Sequence, residues 1–250
     1  EDIICRLPGL PDTWQHRKYD RKGEDMGFNI AIDGPAGAGK STIAKLVAAR
    51  QNCIYVDTGA MYRGLAVHFL GKQIDPSDIN AVIDACRDAD VSIRYEDGMQ
   101  QVYLNGTNIT GQLRREEVGD MASKTSAIPE VRTKLLELQR TMAREHDVVM
   151  DGRDIGTNIL PDADVKIYLT ASVEPRAKRR FDELQAKGQE CDLTKIQEDI
   201  RARDHRDMTR ETAPLKQADD AVLVDSSDMN IEEVTDAILA ICADKQKETV

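Results

Sequence analysis

The run Gly34-Pro-Ala-Gly-Ala-Gly-Lys40-Ser41-Thr42 sets two glycines, Gly34 and Gly39, with four residues between them, directly ahead of a lysine and a serine. These types at this spacing suit the binding of a polyphosphate. Gly37 and Gly39 let backbone N–H groups converge on phosphate oxygens, and the N-terminus of a following helix adds its dipole. Lys40 neutralises β/γ charge, and the Ser41 hydroxyl is a magnesium ligand. The ATP-binding set is therefore Gly34, Pro35, Ala36, Gly37, Ala38, Gly39, Lys40, Ser41 and Thr42. The motif alone implies ATP or GTP and nothing narrower.

A second set follows the apolar run Val148-Val149-Met150, which ends in Asp151-Gly152-Arg153-Asp154. If this strand end lies beside the loop, Asp151 holds a magnesium-bound water and Arg153 faces substrate phosphate. The C-terminal half is then dense in arginine. Arg176, Arg179 and Arg180 fall at helical spacings, as do Arg203, Arg206, Asp207 and Arg210. Any one of them, Arg179 or Arg180 above all, reads equally well as a solvated helix face. Arg203, Asp207 and Arg210 together imply a polar site, because an acid is set among the arginines. Transfer of a phosphoryl group between two phosphates needs little else. The attacking oxygen belongs to a phosphate with a second pKa of about 6, so no general base is required. Lys40, Arg153, Arg203 and Arg210 are the groups expected to carry the charge of the reaction. No Ser-His-Asp arrangement is evident among His16, His68, His146 and His205.

The rest of the composition narrows the partners. The 250 residues carry a net charge of −11 with 32% charged residues, a field that repels nucleic acid polymers and anionic membranes. An anionic substrate must meet a locally basic site. Cys5, Cys53, Cys86, Cys191 and Cys242 are far apart and read as free thiols in a reducing compartment. No apolar run approaches the roughly 18 residues of a membrane span. The Asn-x-Thr triplets at Asn105 and Asn108 carry no weight without an export signal. The absence of any Asn-Lys-x-Asp run argues against a regulatory GTPase.

The elements that must position these residues are legible in the periodicity. Residues 28–33 form an apolar strand ahead of the loop, and a helical pattern runs from Thr42 to Arg50 with Ile43, Leu46 and Val47 on one face. Residues 53–56 read as a second strand leading to a helix from about Met61. Residues 147–150, 165–169 and 221–224 read as further strands, the last two short and buried, each ahead of a helical stretch. Strands alternating with helices predict an α/β fold, a parallel sheet with helices on both faces. Between the second and third core strands, residues 91–94 and 101–104 flank an Asp97-Gly98 turn, and Asn105-Gly106 marks another. They predict a small antiparallel insert. Residues 1–26 show neither period and read as a tail outside the fold, with the natural start at Met26 or, alternatively, with the segment as a docking arm.

Four separated segments together resemble the cytidylate kinases over about residues 27–245. They are Ile32-Asp-Gly-Pro-Ala-Gly-Ala-Gly-Lys-Ser41, Val56-Asp-Thr-Gly-Ala-Met-Tyr-Arg63, Asp151-Gly-Arg-Asp-Ile-Gly-Thr157, and Arg203-Asp-His-Arg-Asp-Met-Thr-Arg210 followed by Ala213-Pro-Leu215. The resemblance implies a P-loop NTP hydrolase-like fold at residues 27–250, with a monophosphate-binding insert at about 77–145 and a short mobile lid at about 172–210. It implies transfer of the γ-phosphoryl group of ATP to CMP or dCMP, with Mg²⁺. The family's monophosphate contacts carry over to Thr58, Tyr62, Arg63, Ser123, Arg132, Arg153, Asp154, Arg203, Asp207 and Arg210. The positions matching Ser123, Arg132 and Asp154 hold the base, and those matching Arg203 and Asp207 the pentose. Arg176 and Arg180 are assigned to the lid. Thr58 stands where many relatives carry Ser, which keeps the hydroxyl and adds a methyl group.

The alternatives are a kinase for another small anion, such as UMP, AMP or shikimate, and a regulatory module that binds ATP without phosphorylating CMP. The chain is expected to be a cytoplasmic monomer whose partners are ATP and CMP or dCMP, with no nucleic acid polymer and no membrane.

Overall fold

The computed structural model describes residues 27–248, and upstream of them the backbone of two short paired strands, β1 (Asp20–Arg21) and β2 (Glu24–Asp25). The remainder of the expected tail lies outside the described residues. Downstream come β3 (Asn29–Asp33), α1 (Lys40–Gln51), β4 (Ile54–Asp57), α2 (Thr58–Gly71) and α3 (Ile79–Arg87). The insert strands β5 (Val91–Glu96), β6 (Met99–Leu104) and β7 (Thr107–Asn108) precede α4 (Glu116–Thr125) and α5 (Pro129–Glu145). The chain closes with β8 (Val148–Gly152), β9 (Val165–Thr170), α6 (Val173–Ala186), α7 (Leu193–Thr209), β10 (Val222–Asp225) and α8 (Ile231–Glu248).

These elements form two compact units, one of Phe28–Tyr55 with Val148–Val250 and one containing Val56–Asp147. The first is built on a five-stranded sheet in the order β10-β9-β3-β8-β4, in which β3 pairs parallel with both β8 and β9. Every residue of β3 is buried, as expected for a central strand covered on both faces. Ile30, Ile32, Val149, Ile167 and Leu169 pack against Ile43, Ala44 and Val47 of α1 and Val234, Ile238 and Cys242 of α8. The alternate residues Ala31, Val148 and Met150 are also fully buried. Asp33 lies opposite Gly152 and Ile32 opposite Asp151, so the acids that end β3 and β8 emerge at one edge of the sheet.

The second unit packs α2 against α4, α5 and the insert. Met61, Leu65 and Phe69 of α2, Val118 and Met121 of α4, and Val131, Leu135 and Met142 of α5 are buried. The hairpin β5–β6 turns through Asp97 and Gly98, with φ of 51° and 72°, the mirror-image turn that Asp-Gly favours. Its Val102 sits where a Cβ on Gly64 of α2 would come within 3.1 Å, so the glycine permits the close packing.

Two expectations change. The helix expected from about Met61 begins at Thr58, because the Asp57 side chain accepts the Ala60 N–H at 2.8 Å and caps it. The strand expected to be buried near 221–224 is an edge strand: Val222 and Leu223 are 38% and 55% exposed, and only Val224 faces the core. An apolar run cannot reveal its place in the strand order.

Candidate active site

The loop ahead of α1 takes left-handed backbone at Gly37 (φ 76°) and Gly39 (φ 89°), which glycine adopts without strain. Gly34 (φ 150°) passes so close to β9 that a Cβ would lie 1.9 Å from the Leu169 carbonyl oxygen, and Gly39 (φ 89°) is left-handed at the N-cap of α1. No side chain caps α1 and no acid stands in its first turn, so the helix N-terminus is left to an anion. Lys40 is 6% exposed and its Nζ donates to the Pro35 carbonyl at 2.8 Å. Burial, and then the charge of Arg153, pull the Lys40 ammonium down to about 7. Ser41 Oγ donates to Asp151 Oδ2 at 2.9 Å, and Tyr55 donates to Asp151 Oδ1 at 2.9 Å. A hydroxyl beside an oriented carboxylate fits Mg²⁺, which takes one or two side-chain oxygens and fills its shell with phosphate and water.

The same unit gathers the residues that follow β8 and those on α7. Arg153 Nε donates to Asp207 Oδ2 at 2.9 Å, and Arg210 Nη2 lies 3.4 Å from Asp154 Oδ1. Burial disfavours the ionised Asp207, but Arg153, Arg203 and Arg210 more than offset it and hold its carboxyl below the usual range. The Arg210 Nε bonds to the Ala213 carbonyl and the Leu215 N–H to the Asp207 carbonyl, so the segment after α7 fastens its end. Arg153, Asp154, Arg203, Asp207 and Arg210 therefore form one polar cluster whose acids orient its arginines.

The expected acceptor residues of the other unit also lie close together. Thr58 begins α2 and is 2% exposed, and Tyr62 follows one turn later. The Arg132 guanidinium lies 5.6 Å from the Tyr62 ring centroid and donates to the Ser126 carbonyl at 3.1 Å. Ser126 in turn donates to the Ser123 carbonyl, and the Ser123 hydroxyl is buried with no hydrogen-bond partner among the described residues. An orphaned hydroxyl at the end of this chain of contacts is what a polar ligand would satisfy. Arg63 is held by Asp57 at 3.1 Å.

The two arginines assigned to the lid differ. Arg176 is 4% exposed and braces the loop, donating to the carbonyls of Ala171 at 2.8 Å and Ala36 at 2.9 Å and pairing with Asp204 at 2.7 Å. Arg180 is exposed and pairs with Glu183 at 3.1 Å. Helix α6, which carries them, packs against α7, which carries Arg203 and Asp207. Sequence reasoning missed Asp33, Tyr55, Gln100, Asn158 and Asp204. Of these only Asp33 had a signal, an acid ending a buried strand immediately before the loop.

The family described as cytidylate kinase matches residues 30–244. The chain is 48% identical over 214 residues to a cytidylate kinase of Caldicellulosiruptor bescii, covering 86% of this chain and 95% of that one. It is 47% identical over 227 residues to one of Lactobacillus johnsonii, covering 91% and 99%. The cytidylate kinase of Lactiplantibacillus plantarum is 48% identical over 223 residues, 89% of this chain and 98% of that one.

Proposed function

This chain belongs to the cytidylate kinase family, and from that premise we propose how its residues move the γ-phosphoryl group of ATP onto CMP or dCMP. The loop 34–42 holds the ATP phosphates, with Lys40 on the β/γ oxygens. A phosphate oxygen of CMP bonds to the γ-phosphorus as the bond from that phosphorus to the bridging oxygen breaks, and ADP leaves. Arg153, Arg203 and Arg210 lower the repulsion between the two anions and stabilise the charge in passage. Such arginines are worth on the order of a thousandfold in rate. Ser41, with Asp151 through water, would hold Mg²⁺, which supplies charge neutralisation of the polyphosphate when bound.

Thr58, Tyr62, Arg63, Ser123 and Arg132 bind the monophosphate substrate, and Asp154 accepts from the cytosine 4-amino group. Uracil presents a carbonyl there and would face the carboxylate with an acceptor. The observation that carries this reading is Asp154 itself: 3% exposed, yet held by Arg210 at 3.4 Å and Asn158 at 3.1 Å. The protein acts as a monomer and works in the cytoplasm, the latter in keeping with the free thiols of Cys86, Cys191 and Cys242. The test is ADP formation from MgATP with CMP, dCMP, UMP, AMP or shikimate, for wild type and Asp154→Ala. Turnover with CMP and dCMP that is weak with UMP and lost in the variant supports the assignment. Phosphorylation of another acceptor with CMP inert overturns the pocket, and no reaction with any acceptor favours a binding module.

A further inference from the structure

A helical turn, Ile155–Ile159, begins directly after Asp154. The first N–H groups of any such turn lack partners within it, and an aspartate at the N-cap position ordinarily folds back to accept one of them. Asp154 occupies that position and does not: its side chain makes no capping bond. Its two carboxylate oxygens reach Arg210 and Asn158 instead.

The vacant task is carried out from the neighbouring strand. Asp33 ends β3 at 5% exposure, and its Oδ1 and Oδ2 accept the N–H groups of Ile155 and Gly156, each at 2.8 Å. We infer that Asp33 is a positioning residue for base selection: by capping the turn in place of Asp154, it leaves the Asp154 carboxylate to face the cytosine amino group. The inference rests on the reading of Asp154 as the base-reading acid. Burial pushes the Asp33 carboxyl up to about 6, with the two N–H bonds working against that rise, so near neutral pH it is ionised and accepts both donors. Gly156 belongs to the arrangement. A Cβ there would lie 3.2 Å from the Lys166 side chain and 3.5 Å from Asp33 Oδ2.

Asp33→Asn keeps the shape but offers a single acceptor and turns an NH₂ donor toward a backbone donor. The uncapped turn then competes for the acid next to it, and Asp154 swings back. Losing a buried acceptor of this kind is worth about tenfold or more in equilibrium. The experiment measures kcat and KM for CMP, UMP and ATP in wild type, Asp33→Asn, Asp154→Asn and the double variant. The inference expects KM for CMP to rise about tenfold in Asp33→Asn and the preference for CMP over UMP to fall, with KM for ATP changed less than about twofold. It expects the double variant to discriminate no worse than Asp154→Asn alone, because the two residues act through one carboxylate. A general loosening of the fold would move the ATP and CMP constants together. If Asp33→Asn retains the preference while Asp154→Asn loses it, Asp33 is structural only and the inference falls. If Asp154→Asn itself retains the preference, the base-reading assignment falls and takes this inference with it. Should Asp33→Asn fail to fold, Asp33→Ser removes the buried charge and is read against the same outcomes.

Discussion

A carboxyl group buried at a strand end is easier to hold neutral than ionised, and Asp33 sits with its charge opposed by burial and favoured by two N–H donors and Lys40. Its folded value of about 6 lies above the ordinary 3.8. Between those values the folded protein keeps a proton that the unfolded chain has released, so this group makes stability fall as pH rises through that window. Above the folded value the loss is complete, and a shift of this size corresponds to about 3 kcal/mol. Urea unfolding of wild type and Asp33→Asn, near pH 4 and near pH 7, isolates it. The wild-type stability minus that of the variant is expected to be lower at the higher pH by up to about 3 kcal/mol. A pH-independent difference would show that Asp33 does not titrate in that window. At this scale the loop was legible because its residues are adjacent, whereas the partners of Asp33 lie 122 and 123 positions away and no local spacing points to them.

At the scale of elements, the insert is fastened to the start of the helix that carries Thr58, Tyr62 and Arg63. Gln100 on β6 accepts the Asp57 N–H at 2.8 Å and donates to the Asp57 carbonyl at 3.1 Å, as a neighbouring strand would. Asp57 then caps α2 and holds Arg63. Loss of the Gln100 amide in Gln100→Ala removes two hydrogen bonds, worth about 1–2 kcal/mol in all, and frees Asp57 to shift with Arg63. The expected result is a several-fold rise in KM for CMP, with KM for ATP unchanged and a fall of a few degrees in thermal midpoint. Steady-state kinetics with each substrate varied in turn checks it, and an equal effect on both KM values would count against the clamp. The hairpin was legible because Asp97-Gly98 and Asn105-Gly106 demand left-handed backbone. The start of α2 was misplaced because the apolar pattern begins at Met61, while Asp57, three residues before Ala60, carries the boundary. The exposure of β10 depends on strand order, which periodicity does not encode.

For the whole molecule, alternating strands and helices gave the α/β class. The division into two units, with β3 and β8 neighbours across more than a hundred residues, is a matter of long-range contact. The overall charge of −11 opposes both substrates, so the clustered Lys40, Arg153, Arg203 and Arg210 must reverse the field locally. In the proposed mechanism that equipment serves an acceptor that brings its own anionic oxygen. Water does not: it must lose a proton as it attacks, and the carboxylates of the cluster, Asp207 and Asp154, are already engaged by Arg153 and Arg210. General-base assistance is worth about a hundredfold to ten-thousandfold. ATP hydrolysis without acceptor is therefore expected to run at least about a hundredfold slower than transfer to CMP. The measurement is ADP release from MgATP with and without saturating CMP. A rate without CMP near the rate with it would mean that water reaches the γ-phosphorus as readily as the nucleotide, and that the arginine cluster is not reserved for a phosphate acceptor.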